Sequence, residues 1–292
     1  MNNHKGRGGS DMHAFEALIR DNYAQLPSSE RRIADLILEF PGDVGAYSAT
    51  ELAGLAKSSK AAVTRLTRRL GFSSYEEARR SARNVREWGS PLYMLSQQTE
   101  AVVPTDSKLK DHLESDFKNM ARTFDSLDST EIDEVVEAIV KARRVWLIGY
   151  RNSHFLASYA RWQFIQVRDH VTVLPSGGET LAEHIASMSQ DDVVIIIGFR
   201  RRVPAMRRFM ETVAARGVPM AYLTDPTVRE TASLARWTLI AHVAGIDVFD
   251  SYSAALSLIH YMSTAVVTRT GAKGRKRLQN IEALHDQVKD FG

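Results

Sequence analysis

The 292-residue chain has no cysteine. That absence excludes a disulfide framework, thiolate zinc sites, cysteine nucleophiles and iron–sulfur ligation together. No uninterrupted apolar run reaches the roughly 18–20 residues of a membrane span, and residues 1–10 (MNNHKGRGGS) hold no apolar stretch like that of a secretory signal. A cytoplasmic protein with no membrane partner is the expectation. Charge of one sign is scarce as well: 38 Lys plus Arg against 35 Asp plus Glu leave only +3, so the location of charge, not its sum, must identify a partner.

What is present is ordinary for a folded protein. The 44% hydrophobic and 25% charged fractions exclude wholesale disorder and leave apolar surface for more than one core. At about 150 residues per domain, two domains are expected. Residues 1–13 read as a polar, Gly-rich flexible tail and 14–88 as an all-helical domain, with apolar residues recurring at helical spacing in Ile33, Leu36, Ile37 and Phe40, then Leu52, Leu55 and Ala56, then Val63, Leu66 and Leu70. Ser28 and Ser29, Ser48 or Thr50, and Ser59 are N-cap candidates; Pro41 with Gly42 stops one helix, and Gly71 stands where a C′ glycine would. Trp88 to Pro104 interrupts the pattern, so 89–128 is read as a linker with a connecting helix.

Beyond Arg144, short apolar runs at 145–148, 171–174, 193–197, 219–223 and 237–240 alternate with helical stretches. That alternation predicts a parallel sheet with helices on both faces over 129–270. A helix over 253–268 and a charged one over 273–289 follow, the latter within a closing segment 271–292. The fold class is therefore α/β overall, an all-α domain followed by a doubly wound parallel sheet. No internal repeat is present.

Residues 50–57, 58–60 and 61–70 have helix-turn-helix spacing. Ser59 can cap the second helix, and helix N-termini bind anions. With Val63, Leu66 and Leu70 inward, Lys60, Thr64, Arg65, Arg68 and Arg69 turn outward, the kinds of side chain a major groove takes. From Lys57 to Arg86, nine cations face two acids, a net +7 that leaves the remainder of the chain at −4. A charge run alone is usually a solvated face; joined to this spacing, it points to a polyanion such as double-stranded DNA. Ser58, Ser59, Lys60, Thr64, Arg65, Arg68 and Arg69 are the candidate contacts.

The segments Glu30-Arg-Arg-Ile-Ala34, Tyr47-Ser-Ala-Thr-Glu-Leu-Ala53, Ser59-Lys-Ala-Ala-Val-Thr-Arg65 and Arg69-Leu-Gly-Phe72 resemble the N-terminal domain of the RpiR family of bacterial regulators. The resemblance implies operator binding by this domain, followed by a sugar-isomerase (SIS) domain that senses a metabolite, commonly a phosphorylated sugar. In an open α/β sheet, ligands settle at the carboxyl ends of strands. Gly149, Arg151, Asn152 and Ser153 follow the first apolar run; Gly149 allows a sharp turn and Ser153 can cap the next helix. This is similar to the SIS pattern Gly-x-Gly-x-Ser-x-x-x-Ala, kept at Gly149, Ser153 and Ala157 but departing at Arg151, where the family has glycine.

Arg200, Arg201 and Arg202 follow the third run, where sugar-phosphate-binding relatives place a Ser/Thr-rich loop. Arginines can clamp an anion bidentately. An Arg triplet in a loop is more often solvated, or paired with acids across a dimer interface, than a ligand clamp, and Gly149 and Ser153 can be no more than a turn and a cap; the residues leave both readings open. Glu179, Glu183 and His184 are the nearby acid–base candidates for an isomerase-like alternative. No metal site, nucleophile motif or Walker loop is legible, so no catalytic residue and no cofactor is expected. The implied protein is a homodimeric or homotetrameric regulator whose operator binding is modulated by a small anionic metabolite.

Overall fold

The computed structural model describes residues 18–19, 22–39, 47–83, 105–200, 202–246 and 248–289. The expected tail, the stop at Pro41 and Gly42, the interruption from Trp88 to Pro104, and Arg201 lie outside them. The chain divides into two compact units, Met1–Ala101 and Val102–Gly292.

Among the described residues of the first unit, a short 3-10 helix (Tyr23–Gln25) precedes four α-helices: α1 (Ser28–Glu39), α2 (Ala49–Leu55), α3 (Lys60–Arg69) and α4 (Tyr75–Arg83). Helices of seven to twelve residues are marginal alone, so caps and packing must hold them. Ser48 supplies a capping box to α2: its hydroxyl accepts from the Glu51 amide at 3.3 Å while its own amide donates to the Glu51 carboxylate at 2.8 Å. Ser59 caps α3, accepting from the Ala62 amide at 3.2 Å, and Gly71 at φ +91° ends it. Ile33, Leu36, Ile37, Leu52, Val63, Leu66 and Leu70 form the core between α1, α2 and α3. Each such side chain contributes about 1.5–3 kcal/mol by leaving water.

The second unit opens with α5 (Thr105–Ser126) and α6 (Ser129–Lys141). Then strands and helices alternate: β1 (Val145–Gly149), α7 (Asn152–Ile165), β2 (Val171–Leu174), α8 (Leu181–Ala186), β3 (Val193–Gly198), α9 (Pro204–Ala215), β4 (Met220–Thr224), β5 (Trp237–Ile240) and α10 (Ser253–Val288). All five strands are parallel, in the order β2-β1-β3-β4-β5. β1 and β3 are buried along their whole length, which is why they read as continuous apolar runs rather than alternating ones. Leu147, Ile195 and Leu223 meet α6, α7 and α10 on one face; Ile148, Ile196 and Tyr222 meet α9 on the other. Gly271, at φ +55° and ψ −129°, breaks α10 into two helical parts. Among the described residues, no helix is long and apolar enough to cross a membrane.

This topology creates one switch point. The chain leaves β1 toward β2 on one side and β3 lies on the other, so the loops after β1 and β3 diverge at the sheet's carboxyl edge, the place where open α/β sheets generally take their ligands.

Candidate functional sites

On α3, Lys60, Arg65, Arg68 and Arg69 are exposed and Thr64 is half-buried, its hydroxyl donating to the Lys60 carbonyl at 3.2 Å. Ala62, Val63, Leu66 and Thr67 take the inward side. Ser59 is occupied as the cap, and the Ser58 hydroxyl donates to the Ser29 carbonyl at 2.8 Å, tying the turn to α1. Thus the seven candidate contacts divide into an outward basic face and two serines that shape the turn. One partner of that face has no local signal in the sequence. Glu30 of α1, 1% exposed, accepts from Nε of Arg65 at 3.2 Å and from Nε of Arg69 at 3.1 Å.

At the sheet's carboxyl edge, Gly149 is indispensable to the turn: a Cβ there would run into the backbone carbonyl of Ser153. Ser153 is not the cap. The N-cap position of α7 is Arg151, whose side chain makes no capping bond, and Ser153 is buried in the first turn with its amide donating to the Tyr150 carbonyl at 3.1 Å. The His154 amide likewise donates to Arg151. With these amides spent internally, the side chains of Arg151 and Asn152, both exposed, are what α7 presents. Arg151 has φ +58° and ψ −128°, a conformation that favours glycine.

The arginines after β3 do not act alike. Arg202 is buried: it donates to the Tyr222 hydroxyl, the Thr224 hydroxyl, the Thr227 hydroxyl and the Asp225 carboxylate, the last at 2.7 Å, and to the Gly198 carbonyl. Its guanidinium therefore fastens the loop to the end of β4. Arg200 reaches Asp250 at 2.5 Å and stays 30% exposed. Both find acids within their own chain, a pairing that the sequence reading, with its acids across a dimer interface, does not foresee. Tyr252, beside Asp250, joins the two loops. Its ring lies 5.6 Å from Phe199, and a hydrogen bond with Asn152 and the charges of Arg200 and Arg151 favour its ionised form. Burial, then the Asp250 carboxylate, raise its pKa. Neither Asp225 nor Asp250 and Tyr252 stands in a motif; their roles arise only when β4 and the start of α10 fold back beside β3.

The acid–base candidates partly converge. His184 Nε2 lies 2.8 Å from the Glu179 carboxylate, and the His184 ring and then the Ser176 hydroxyl hold that carboxyl below its ordinary pKa. Glu183 instead bonds the Thr180 hydroxyl. Among the described residues there is no cluster of three or more His, Asp or Glu that could hold a metal ion.

A helix-turn-helix unit with a basic outward helix, carried in one chain with a doubly wound parallel sheet, defines a class: DNA-binding regulators with an α/β domain. Family models agree. Residues 13–82 match the helix-turn-helix domain of the rpiR family and residues 138–265 match the SIS domain. Two similar proteins are named as HTH-type transcriptional regulators: YbbH of Bacillus subtilis, 25% identical over 75% of this chain and 76% of that one, and HexR of Pseudomonas aeruginosa, 23% identical over 90% and 93%. The structure of Vibrio vulnificus NanR complexed with ManNAc-6P has the same fold, with TM-score 0.57 at 18% identity, covering 94% of this chain and 98% of that one. The chain carries an rpiR-family helix-turn-helix domain followed by a SIS domain and is a transcriptional regulator of that architecture.

Proposed function

We propose that the protein is a cytoplasmic homodimer or homotetramer that binds a two-half-site operator through α3 and releases or tightens its grip when a small anionic metabolite binds at the loops after β1 and β3. The observation that carries the DNA half is the capped, outward basic face of α3, with Lys60, Thr64, Arg65, Arg68 and Arg69 on the side away from the core. The metabolite half rests on Arg151, Asn152 and Arg200 around Tyr252, and on the NanR complex, whose ligand is a phosphorylated sugar derivative. Sugar phosphates or related anions are the ligand class. Arg202 serves this site by holding its loop, not by touching the ligand. The role is binding without turnover; the His184–Glu179 pair supports an isomerase-like second reading, which conversion of a sugar phosphate by the purified protein would establish.

The test of the DNA half is binding of Arg65→Ala and Arg68→Ala to a duplex selected by the wild type from a random-sequence library, with salt varied. Each removed phosphate contact should lower the slope of log K against log salt by about 0.9, and each removed base contact should cost about 1–3 kcal/mol of discrimination. Unchanged affinity and slope in both variants exclude α3 as the reading helix.

A further inference from the structure

We infer that Glu30 is a positioning residue for DNA reading: one buried carboxylate on α1 aims the side chains of Arg65 and Arg69 before DNA arrives. This rests on α3 being the reading helix.

The two arginines stand four residues apart, on one face of α3. Each gives its Nε–H to a different oxygen of the same carboxylate, at 3.2 and 3.1 Å, while their side chains remain 56% and 42% exposed. The carboxylate itself is 1% exposed. A buried charge is a poor route to stability, since an apolar residue of similar volume commonly serves as well or better, and the inward positions that follow Glu30 on α1, Ile33, Ala34 and Ile37, are apolar. Glu39 is a second buried acid on α1, but it stands at the helix's far end, and of the two only Glu30 faces Arg65 and Arg69; what its carboxylate adds is direction. A guanidinium is a rigid planar fork; with its Nε edge fixed inward, its two terminal nitrogens point along the outward edge, the pair that meets guanine O6 and N7 or a phosphate. Rotamer freedom that two long side chains would lose on binding is lost beforehand. One acid against two cations also leaves this trio at +1, which limits the sequence-independent pull on any duplex.

The experiment compares the selected duplex with a scrambled one of equal length and composition. In Glu30→Gln the side chain keeps its size and one acceptor but loses the charge and the second acceptor. Affinity for the selected duplex should fall about 10-fold, the loss expected for one charge-assisted hydrogen bond, while affinity for the scrambled duplex holds or rises. In the Arg65→Ala/Arg69→Ala background the same substitution should change neither. Should Glu30→Gln not fold, as read by its thermal melt, the Arg65→Lys/Arg69→Lys protein supplies the same test with the charge kept: discrimination should fall comparably. Equal losses on both duplexes, further loss without the arginines, or full discrimination with lysines would overturn the inference. If Arg65→Ala/Arg69→Ala lowers discrimination and Glu30→Gln does not, only the role of Glu30 fails. If neither changes it, the assignment of α3 fails first.

Discussion

Two residues of one turn, Gly149 and Arg151, make opposite demands on their side chains. At Gly149 an added Cβ meets backbone, the carbonyl of Ser153, which cannot rotate away, so glycine is enforced by contact. At Arg151 the backbone itself asks for glycine, with φ +58° and ψ −128°, yet a charged residue is there. Such a conformation costs about 1–3 kcal/mol for an L side chain; glycine relieves it but adds back roughly 0.5–1 kcal/mol of chain entropy. Arg151→Gly should therefore stabilise the second unit by about 1 kcal/mol, read as a raised midpoint in thermal denaturation. If Arg151 also contacts the metabolite, the same variant should gain less stability than the wild type when phosphorylated sugars are added. A lowered midpoint without ligand would contradict the strained turn. The spacing of Gly149, Ser153 and Ala157 was legible from the sequence because it is local. The strain at Arg151 was not, because β1 and α7 together dictate that backbone, and Ser153 sits in the first turn, two residues past the cap position.

At the scale of elements, five strands and some helix ends were legible for local reasons: β1 and β3 are continuous apolar runs, Ser48 and Ser59 precede their helices, and Pro204 takes the first turn of α9 where its missing amide is harmless; Ser28 and Ser29, read as caps, instead lie inside α1, which starts directly after Pro27. The loop after β3 shows where legibility stops. Three consecutive arginines carry no mark of which one turns inward; Arg202 does so because β3 pairs with β4 in a register that sets Gly198 beside Thr224, bringing Tyr222, Thr224 and Asp225 within reach. The distinction has a measurable consequence. Arg202 and Asp225 are both nearly inaccessible, 1% and 3% exposed, so Arg202→Ala strands a buried carboxylate and should cost about 3–5 kcal/mol. Arg200→Ala breaks a pair that water reaches and should cost about 1 kcal/mol or less. Urea unfolding followed by tryptophan fluorescence, with Trp146, Trp162 and Trp237 all in the second unit, separates the two. Equal small losses would return Arg202 to the role of a ligand contact.

For the whole molecule, the question is what the exposed aromatic surface of the second unit faces. Single exposed apolar residues are common on any protein, but Phe155 and Trp162 lie seven residues apart on α7, at 62% and 63% exposure, and Tyr261 is exposed on α10, which packs against α7. Leu109, Leu113 and Phe117 repeat every four residues along α5 and are also exposed. Bulky apolar groups grouped on neighbouring helices are the candidate interface for the proposed self-association, whose two-fold symmetry would match the proposed two-half-site operator. Sedimentation should accordingly find the wild type as a dimer or larger, and Phe155→Asp/Trp162→Asp shifted toward monomer, because a charge at each position would have to be buried against its symmetry mate. The decisive comparison is on DNA. One reading helix spans only a few base pairs, and a second joined to it binds at a high effective concentration. The monomerised variant should therefore lose at least about 100-fold in affinity for a duplex with both half-sites while binding a single half-site as the wild type does. Dimers that persist in the double variant would place the interface elsewhere, and monomers that keep full affinity would remove the need for symmetry in operator recognition.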